Sequence, residues 1–387
     1  MSPPDPTDPR PAAAAPPPVD WPSPERRAAF EAWLAAIGPG QGLIPASVRI
    51  ASADASFRRY LRIDREPTQD EPARTRIVMD APPERENSRP FVHVAALMQA
   101  AGLNVPQVLE WDEPAGFLLL TDLGERTMIE ALDRDDPHAN QALYLRAVDS
   151  LIDWQLASRP GVLPAYDEPL LRRELALFPD WYIARHKSFA LDNAQRETLA
   201  RTFDLIVRHN LAAPAVFVHR DFMPRNLMLP LAGEARLHGA VETRLGVLDF
   251  QDAVQGPITY DIACLMRDAF VSWNEDFVLD ISVRYWERAR KAGLLGAASA
   301  SGLGDDFGEF YRAVEWMGLQ RHLKVAGIFA RLNLRDGKPK YLADAPRFIG
   351  YIRHTAGRYR ELTPLLRLID RIEGSAAASG YAFGRMP

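Results

Sequence analysis

The apolar run Ala215-Val216-Phe217-Val218 feeds directly into His219-Arg220-Asp221-Phe222-Met223-Pro224-Arg225-Asn226. A second strand-like run, Leu245-Gly246-Val247-Leu248, ends on Asp249-Phe250. Short apolar runs bounded by turn formers read as buried strands. Asp221 is therefore predicted on the loop that follows one strand, and Asp249 at the end of another. Asp and Asn favour loops for backbone reasons alone, so capped turns are the bland alternative. The spacing has a chemical use, however. Transfer of a γ-phosphoryl group needs a carboxylate to receive the acceptor hydroxyl and oxygen ligands for Mg²⁺. Asp221 suits the first role as the catalytic residue. Asn226 and Asp249 suit the second, as metal and cofactor ligands.

These residues resemble a family. His219, Asp221 and Asn226 match the catalytic loop of the aminoglycoside phosphotransferase and choline kinase superfamily, and Asp249 matches its metal-binding Asp. Within it, the chain is similar to the bacterial kinases that phosphorylate the anomeric hydroxyl of N-acetylmuramate and N-acetylglucosamine in cell-wall recycling. The matching segments are Asp54–Tyr60, Met79–Pro83, His219–Met228, Leu248–Ala253, Gly256–Asp261 and Gln320–Lys324. They extend over nearly the whole chain after its N-terminal tail. The resemblance implies an α+β, bilobal protein-kinase-like fold, with a small antiparallel-sheet N-lobe and a larger, mainly helical C-lobe. It implies ATP and Mg²⁺ as cofactors and a small amino sugar as substrate, with no nucleic acid, membrane or obligate protein partner. Two other readings stay open: a kinase of another small hydroxyl compound, aminoglycoside-like or choline-like, and a non-catalytic nucleotide-binding module.

The order of predicted elements agrees with that fold. Residues 1–22 are rich in Pro and Ala and lack the apolar surface needed to offset ordering, so they read as a disordered tail. Ser23 caps a helix that places Phe30, Trp33, Leu34 and Ile37 on one face, with Gly38-Pro39 as its expected stop. Strands are expected over Ser47–Ala51, Ser56–Ile63 and Arg76–Met79, a helix over Ser88–Ala101, and a hairpin of Gln107–Trp111 with Phe117–Thr121. The N-lobe is placed at 23–123 and the C-lobe at 124–374, with a loose end at 375–387. Thr121–Gly124 is the expected hinge against which ATP's adenine would lie, although Asp122 itself reads as part of a plain connection. Helices are expected over Gln141–Ala157, Glu168–Ala184 and Ala194–His209, and a hairpin over Leu231–Arg244.

Composition limits the partners and the compartment. A net charge of −5 gives no general surface for nucleic acid. No apolar run reaches the ~18–20 residues of a membrane span. The single cysteine, Cys264, lies in an apolar run and reads as a buried small side chain, which suits a reducing cytoplasm.

The remaining site assignments vary in their grounds. His219 is expected to scaffold the loop, and Asp261 resembles the family Asp that braces that loop through its backbone. Arg225 is left between charge neutralisation and a surface ion pair, and Asp252 between a second metal and a turn cap. Ser52, Asp54 and Ser56 occupy the connection that would cover the nucleotide phosphates, yet it has no glycine. The third strand ends Ile77-Val78-Met79-Asp80 without the lysine of protein kinases, and the helix after it has no acid. Arg58 or Arg59 is the expected substitute, unless the pair is dispensed with. For the sugar, Trp181, Tyr182, Arg185 and His186 cluster on one predicted helix, and Gln320, Arg321, His322 and Lys324 on another. Trp181, His186, Arg321 and Lys324 are the expected contacts, since aromatic faces suit sugar rings and cations suit a lactyl carboxylate.

Overall fold

The computed structural model describes residues 19–53, 57–67, 75–230, 236–237, 240–241, 244–296 and 302–375. The expectations for residues 1–18, for Asp54 and Ser56, for most of 231–243 and for the end beyond 375 fall outside these residues. The fold is α+β and protein-kinase-like, and the chain divides into two compact units.

The first unit is built on helix α1 (Pro24–Gln41) and five strands: β1 (Leu43–Ala53), β2 (Arg59–Arg65), β3 (Thr75–Asp80), β4 (Val108–Asp112) and β5 (Phe117–Thr121). The strands form one antiparallel sheet in the order β1-β2-β3-β5-β4. Residues two apart on a strand share a face. Leu61 and Ile63 of β2, Val78 of β3, and Phe117 and Leu119 of β5 accordingly pack on Phe30 and Leu34 of α1. Trp33 stacks on Phe117 at 5.3 Å between ring centres.

Helix α1 does not stop at Gly38-Pro39. It continues to Gln41, because a proline so near the end forfeits one hydrogen bond while its fixed φ suits the helix. Gly42, at φ +63, terminates it and returns its N–H to Gly38 O. In the β4–β5 turn Gly116 has φ +71, and a Cβ there would stand 2.1 Å from Ala81 O, so no other residue fits without moving that backbone. Helix α2 (Arg89–Ala100) follows β3 in sequence.

The second unit is mainly helical. Its helices are α3 (Gln141–Leu156), α4 (Glu168–Leu177), α5 (Asn193–Leu211), α6 (Thr259–Met266), α7 (Glu275–Lys291), α8 (Phe307–Leu334), α9 (Ala345–Arg358) and α10 (Thr363–Glu373). Between α5 and α6 lie β6 (Ala215–Val218), β7 (Leu227–Met228), β8 (Arg236–Leu237), β9 (Ala240–Val241), β10 (Gly246–Val247) and β11 (Val254–Pro257), with β8 and β9, antiparallel to each other, assigned to the first unit. β6 pairs with β11, and β7 with β10, both antiparallel. The strand expected over Leu245–Leu248 is thus confined to two residues.

Helix α8, 28 residues long, is buried on nearly every side, as a helix through a core must be. Gly327 permits its approach: a Cβ would lie 2.4 Å from the Leu177 backbone. The single helix expected over Glu168–Ala184 is instead α4 followed by a π-helical segment, Phe178–His186. Pro179 explains the change. It cannot donate the next helical bond, and the helix widens around it.

Among the described residues no helix is long and apolar enough to cross a membrane.

Candidate active site

Strand β6 delivers His219, Arg220 and Asp221 to its C-terminal end, and helix α6 supplies the acid that holds them. Asp261, fully buried, accepts the His219 N–H at 2.7 Å on Oδ2 and the Arg220 N–H at 3.0 Å on Oδ1. Burial pushes the Asp261 carboxyl up to about 7, against the pull of those two amides. The backbone it braces is unusual. Arg220 has φ +78 and Asp249 φ +65, left-handed conformations that cost a non-glycine residue about 1–2 kcal/mol each. Such strain persists only where surrounding contacts over-determine it.

The ring of His219 is fixed at both nitrogens. Leu248 O, 3.0 Å from Nε2, can only accept, so Nε2 carries the proton. Nδ1 then accepts the Asp221 N–H at 3.2 Å. Burial lowers the imidazole pKa to about 4, so the ring is neutral at physiological pH. It joins the loop that carries Asp221 to Leu248, just past β10.

Asn226 links Asp221 and Asp249. Asn226 closes a short 3₁₀ turn (Pro224–Asn226), and its Nδ2 donates to Asp221 O at 2.9 Å and to Asp249 Oδ2 at 3.3 Å. With Nδ2 committed, Oδ1 is the atom Asn226 offers a cation. A carboxylate and an amide oxygen on adjacent loops fit a hard ion such as Mg²⁺, which takes few protein ligands and fills the rest with water and phosphate oxygens. Gln251 Nε2 holds Asp249 Oδ1 at 2.9 Å.

The Asp221 carboxylate keeps access to solvent, with 42% of its side chain exposed, and faces a charged wall. Its surroundings would raise its pKa by desolvation, but the charges of Lys324 and Arg321, then His219 and Arg220, hold it below the ordinary value. Arg321 Nη2 lies 3.7 Å from Asp221 Oδ1, and Arg321 Nη1 is buried without a hydrogen-bond partner among the described residues. Lys324 Nζ meets Glu174 Oε1 at 2.9 Å and Tyr260 OH at 3.3 Å. The same Glu174 oxygen takes Arg220 Nη2 at 2.5 Å, and Tyr166 OH donates to Oε2.

Of the four side chains expected at the sugar, Arg321 stands beside Asp221, and Lys324, held by Glu174 and Tyr260, acts on it through its charge. His186 instead lines a cavity of about 360 Å³ with Tyr182, Lys187, Arg353 and Glu373. Trp181 lies on the same π-helical segment under the guanidinium of Arg185, 3.9 Å from the ring centre. Arg225 sits 4.7 Å over the ring of Phe270, and Asp252 O accepts from Arg220 Nη1 at 3.4 Å. Cys264 is buried and donates to Arg220 O at 3.3 Å, with its thiol pKa pushed up by burial. Glu174 was not anticipated. Its signal was an acid in register with Leu171, Leu175 and Phe178 on the buried face of a helix.

In the first unit, Ser52 is exposed near the end of β1, opposite Tyr60 of β2. Arg58 pairs with Glu86 through Nη2 at 3.1 Å. Arg59 pairs with Asp80. Asp122 is tied into the sheet, accepting from Arg62 Nε at 2.6 Å, Thr75 Oγ1 at 2.9 Å and its near neighbour Gly124 N at 2.9 Å.

A carboxylate on the loop after β6, an Asn five residues on and an Asp two residues past β10 fit a small-molecule phosphotransferase of the kinase fold. The model of the phosphotransferase enzyme family matches residues 47–295, and the chain belongs to that family. It is 47% identical over 343 residues to the N-acetylmuramate/N-acetylglucosamine kinase of Pseudomonas aeruginosa, covering 88% of this chain and 94% of that one. It is 43% identical over 361 residues to the kinase of the same name from Neisseria meningitidis, covering 93% and 100%. Among solved structures it is similar to the Plasmodium vivax ethanolamine kinase, with TM-score 0.57, 11% identity and 89% of both chains covered. It is also similar to wild-type aminoglycoside 2'-phosphotransferase-IIIa in its GDP complex, with TM-score 0.53, 12% identity, and 85% and 97% covered. At these identities the structural likeness concerns the fold.

Proposed function

We propose that the protein transfers the γ-phosphoryl group of ATP to the anomeric hydroxyl of N-acetylmuramate or N-acetylglucosamine, giving the 1-phosphate. The observation that carries the reading is the Asp221 carboxylate, kept ionised by Arg321 and Lys324 on a loop that also presents Asn226 and Asp249. The names and the 43–47% identity of the relatives support the choice of sugar.

In this reading Asp221 accepts the hydrogen bond of the anomeric hydroxyl and aligns its oxygen for in-line attack, where positioning matters more than covalent help. The hydroxyl proton passes to the carboxylate as the O–P bond forms, and ADP leaves. An anomeric hydroxyl is more acidic than an ordinary alcohol, so a base with a low pKa suffices. Asn226 and Asp249 would hold Mg²⁺, which would supply positive charge against the phosphates. Lys324 and Arg321 supply cations near the acceptor, where a lactyl carboxylate would be met. His219 and Asp261 hold the loop. The N-lobe, residues 23–123, binds the nucleotide and the C-lobe, 124–374, the sugar. The compartment is the cytoplasm, where ATP and recycled wall sugars meet.

A panel assay of ADP release tests the acceptor: both amino sugars, an aminoglycoside, choline and ethanolamine, each with ATP and Mg²⁺. Turnover confined to the amino sugars is expected. Turnover with one of the others, and none with the amino sugars, sinks the assignment.

A further inference from the structure

Where protein kinases carry a lysine on the third strand, β3 of this chain ends in Met79 and Asp80. Two adjacent arginines, Arg58 just before β2 and Arg59 at its first position, are the cations in question, and they are committed to different work. Asp80, fully buried, divides its oxygens: Oδ1 takes Arg26 Nε at 2.9 Å, and Oδ2 takes Arg59 Nε at 3.0 Å. Arg59 Nη1 also reaches Asp20 O at 2.6 Å, and its guanidinium covers the ring of Trp21. Arg59 shares its strand face with Leu61 and Ile63, which pack against α1. The Arg26–Asp80–Arg59 group therefore fastens α1 to the sheet.

Arg58 is engaged elsewhere. Its Nε and Nη2 approach the single oxygen Glu86 Oε2, at 3.2 and 3.1 Å, with side chains only 12% and 15% exposed. Glu86 lies on the turn between β3 and α2. One residue before Arg58, Phe57 carries the guanidinium of Arg85 at 4.8 Å from its ring centre. Both contacts pin the root of β2 to the turn that leads into α2. In a protein kinase, a third-strand lysine meets an acid on the following helix, and that pair is required for the phosphates to be held.

We propose that Arg58 and Glu86 perform this work here: Arg58 grips the nucleotide phosphates, and Glu86 is its positioning residue. The cation has moved from the third strand to the residue that precedes the second, and the acid from the helix to the turn before it. A guanidinium suits the task, since its planar fork matches two phosphate oxygens at once and a largely buried ion pair keeps its direction. The inference rests on the nucleotide half of the proposed function.

The test is Mg·ADP binding by titration calorimetry with no sugar present. R58M is expected to bind at least about tenfold more weakly than wild type, and R58K to recover part of the loss. E86Q is expected to weaken binding about three- to tenfold and to raise KM for ATP more than it lowers kcat. Thermal midpoints of the ligand-free variants within a few degrees of wild type establish that the fold is kept; R58K serves if R58M fails this control. Wild-type affinity in R58M, or in R58K and E86Q together, overturns the inference alone. A wild-type protein that binds no Mg·ADP overturns the kinase reading with it. Normal nucleotide binding without phosphorylation of either sugar refutes the acceptor assignment and leaves the Arg58 result intact.

Discussion

Glu174 and Lys324 form an ion pair of 2.9 Å, and the Glu174 oxygen that makes it also binds Arg220, the residue before Asp221. One buried carboxylate from α4 thus ties α8 to the backbone on which Asp221 sits. Glu174→Gln would leave two buried cations facing an amide. The expected cost is about 3 kcal/mol of stability, read as a lower denaturant midpoint, together with at least a tenfold loss of kcat/KM. A variant of wild-type stability would show that the two cations need no anion there.

Asp261 braces the two amides beside Asp221. Asp261→Ala strands both N–H groups in the interior while Arg220 keeps its left-handed backbone. A loss of about 2–4 kcal/mol is expected in chemical denaturation, with kcat lowered about a hundredfold as the loop loses its alignment.

The same residue sets a pH dependence. The Asp261 brace requires the ionised form, and its carboxyl titrates at about 7, so the rate should rise with pH through that value. The sign for stability is opposite. Because the folded value lies above the unfolded 3.8, Asp261 lowers stability progressively as pH rises from about 4 to 7. A pH profile of kcat/KM checks the first statement; a rate independent of pH between 6 and 8 contradicts it.

Glu275 behaves in the reverse way. Burial would raise its pKa, but Arg267, Tyr311 and Arg358 bring it down to about 2. Such a carboxyl contributes on the order of 3 kcal/mol above its unfolded value, a contribution lost as pH falls from about 4.5 to 2. Glu275→Gln should be destabilised at pH 7 and show a shallower fall in stability below pH 4.5, measured by urea denaturation.

Metal dependence separates Asn226 from Asp221. Asn226→Ala is expected to raise the Mg²⁺ concentration for half-maximal rate at least about tenfold, since in the proposed reading it removes a neutral ligand and leaves the base. Asp221→Asn should lower kcat about a thousandfold at any Mg²⁺ concentration. Magnesium titrations of the two variants distinguish them.

The parts of the protein that were legible in its sequence are those where local chemistry and fold agree. The Phe117–Thr121 strand and the face of α1 could be read from periodicity and turn residues, whereas the fold class came with the family resemblance. The resemblance of His219–Asn226 and Asp249 gave the family. What escaped depends on contacts between distant segments. Pro39 looked like a stop because nothing local shows that Gly42 supplies the cap. The π-helical segment needed Pro179 to be seen beside α8, whose Gly327 presses on Leu177. Glu174 looked like an ordinary helix acid, since its partners Lys324, Arg220 and Tyr166 come from three separate segments of the chain. Arg58 and Arg59 could not be told apart until their partners, Glu86 and Asp80, were known.

The central claim is phosphoryl transfer to the anomeric oxygen. It is tested most directly by ³¹P–¹H correlation NMR on the product of N-acetylmuramate, ATP and Mg²⁺. The account predicts a phosphorus coupled to H1 of the sugar with wild-type protein, and no such product on the same timescale with Asp221→Asn. A phosphorus coupled to the H6 protons, or equal product from the variant, would contradict it.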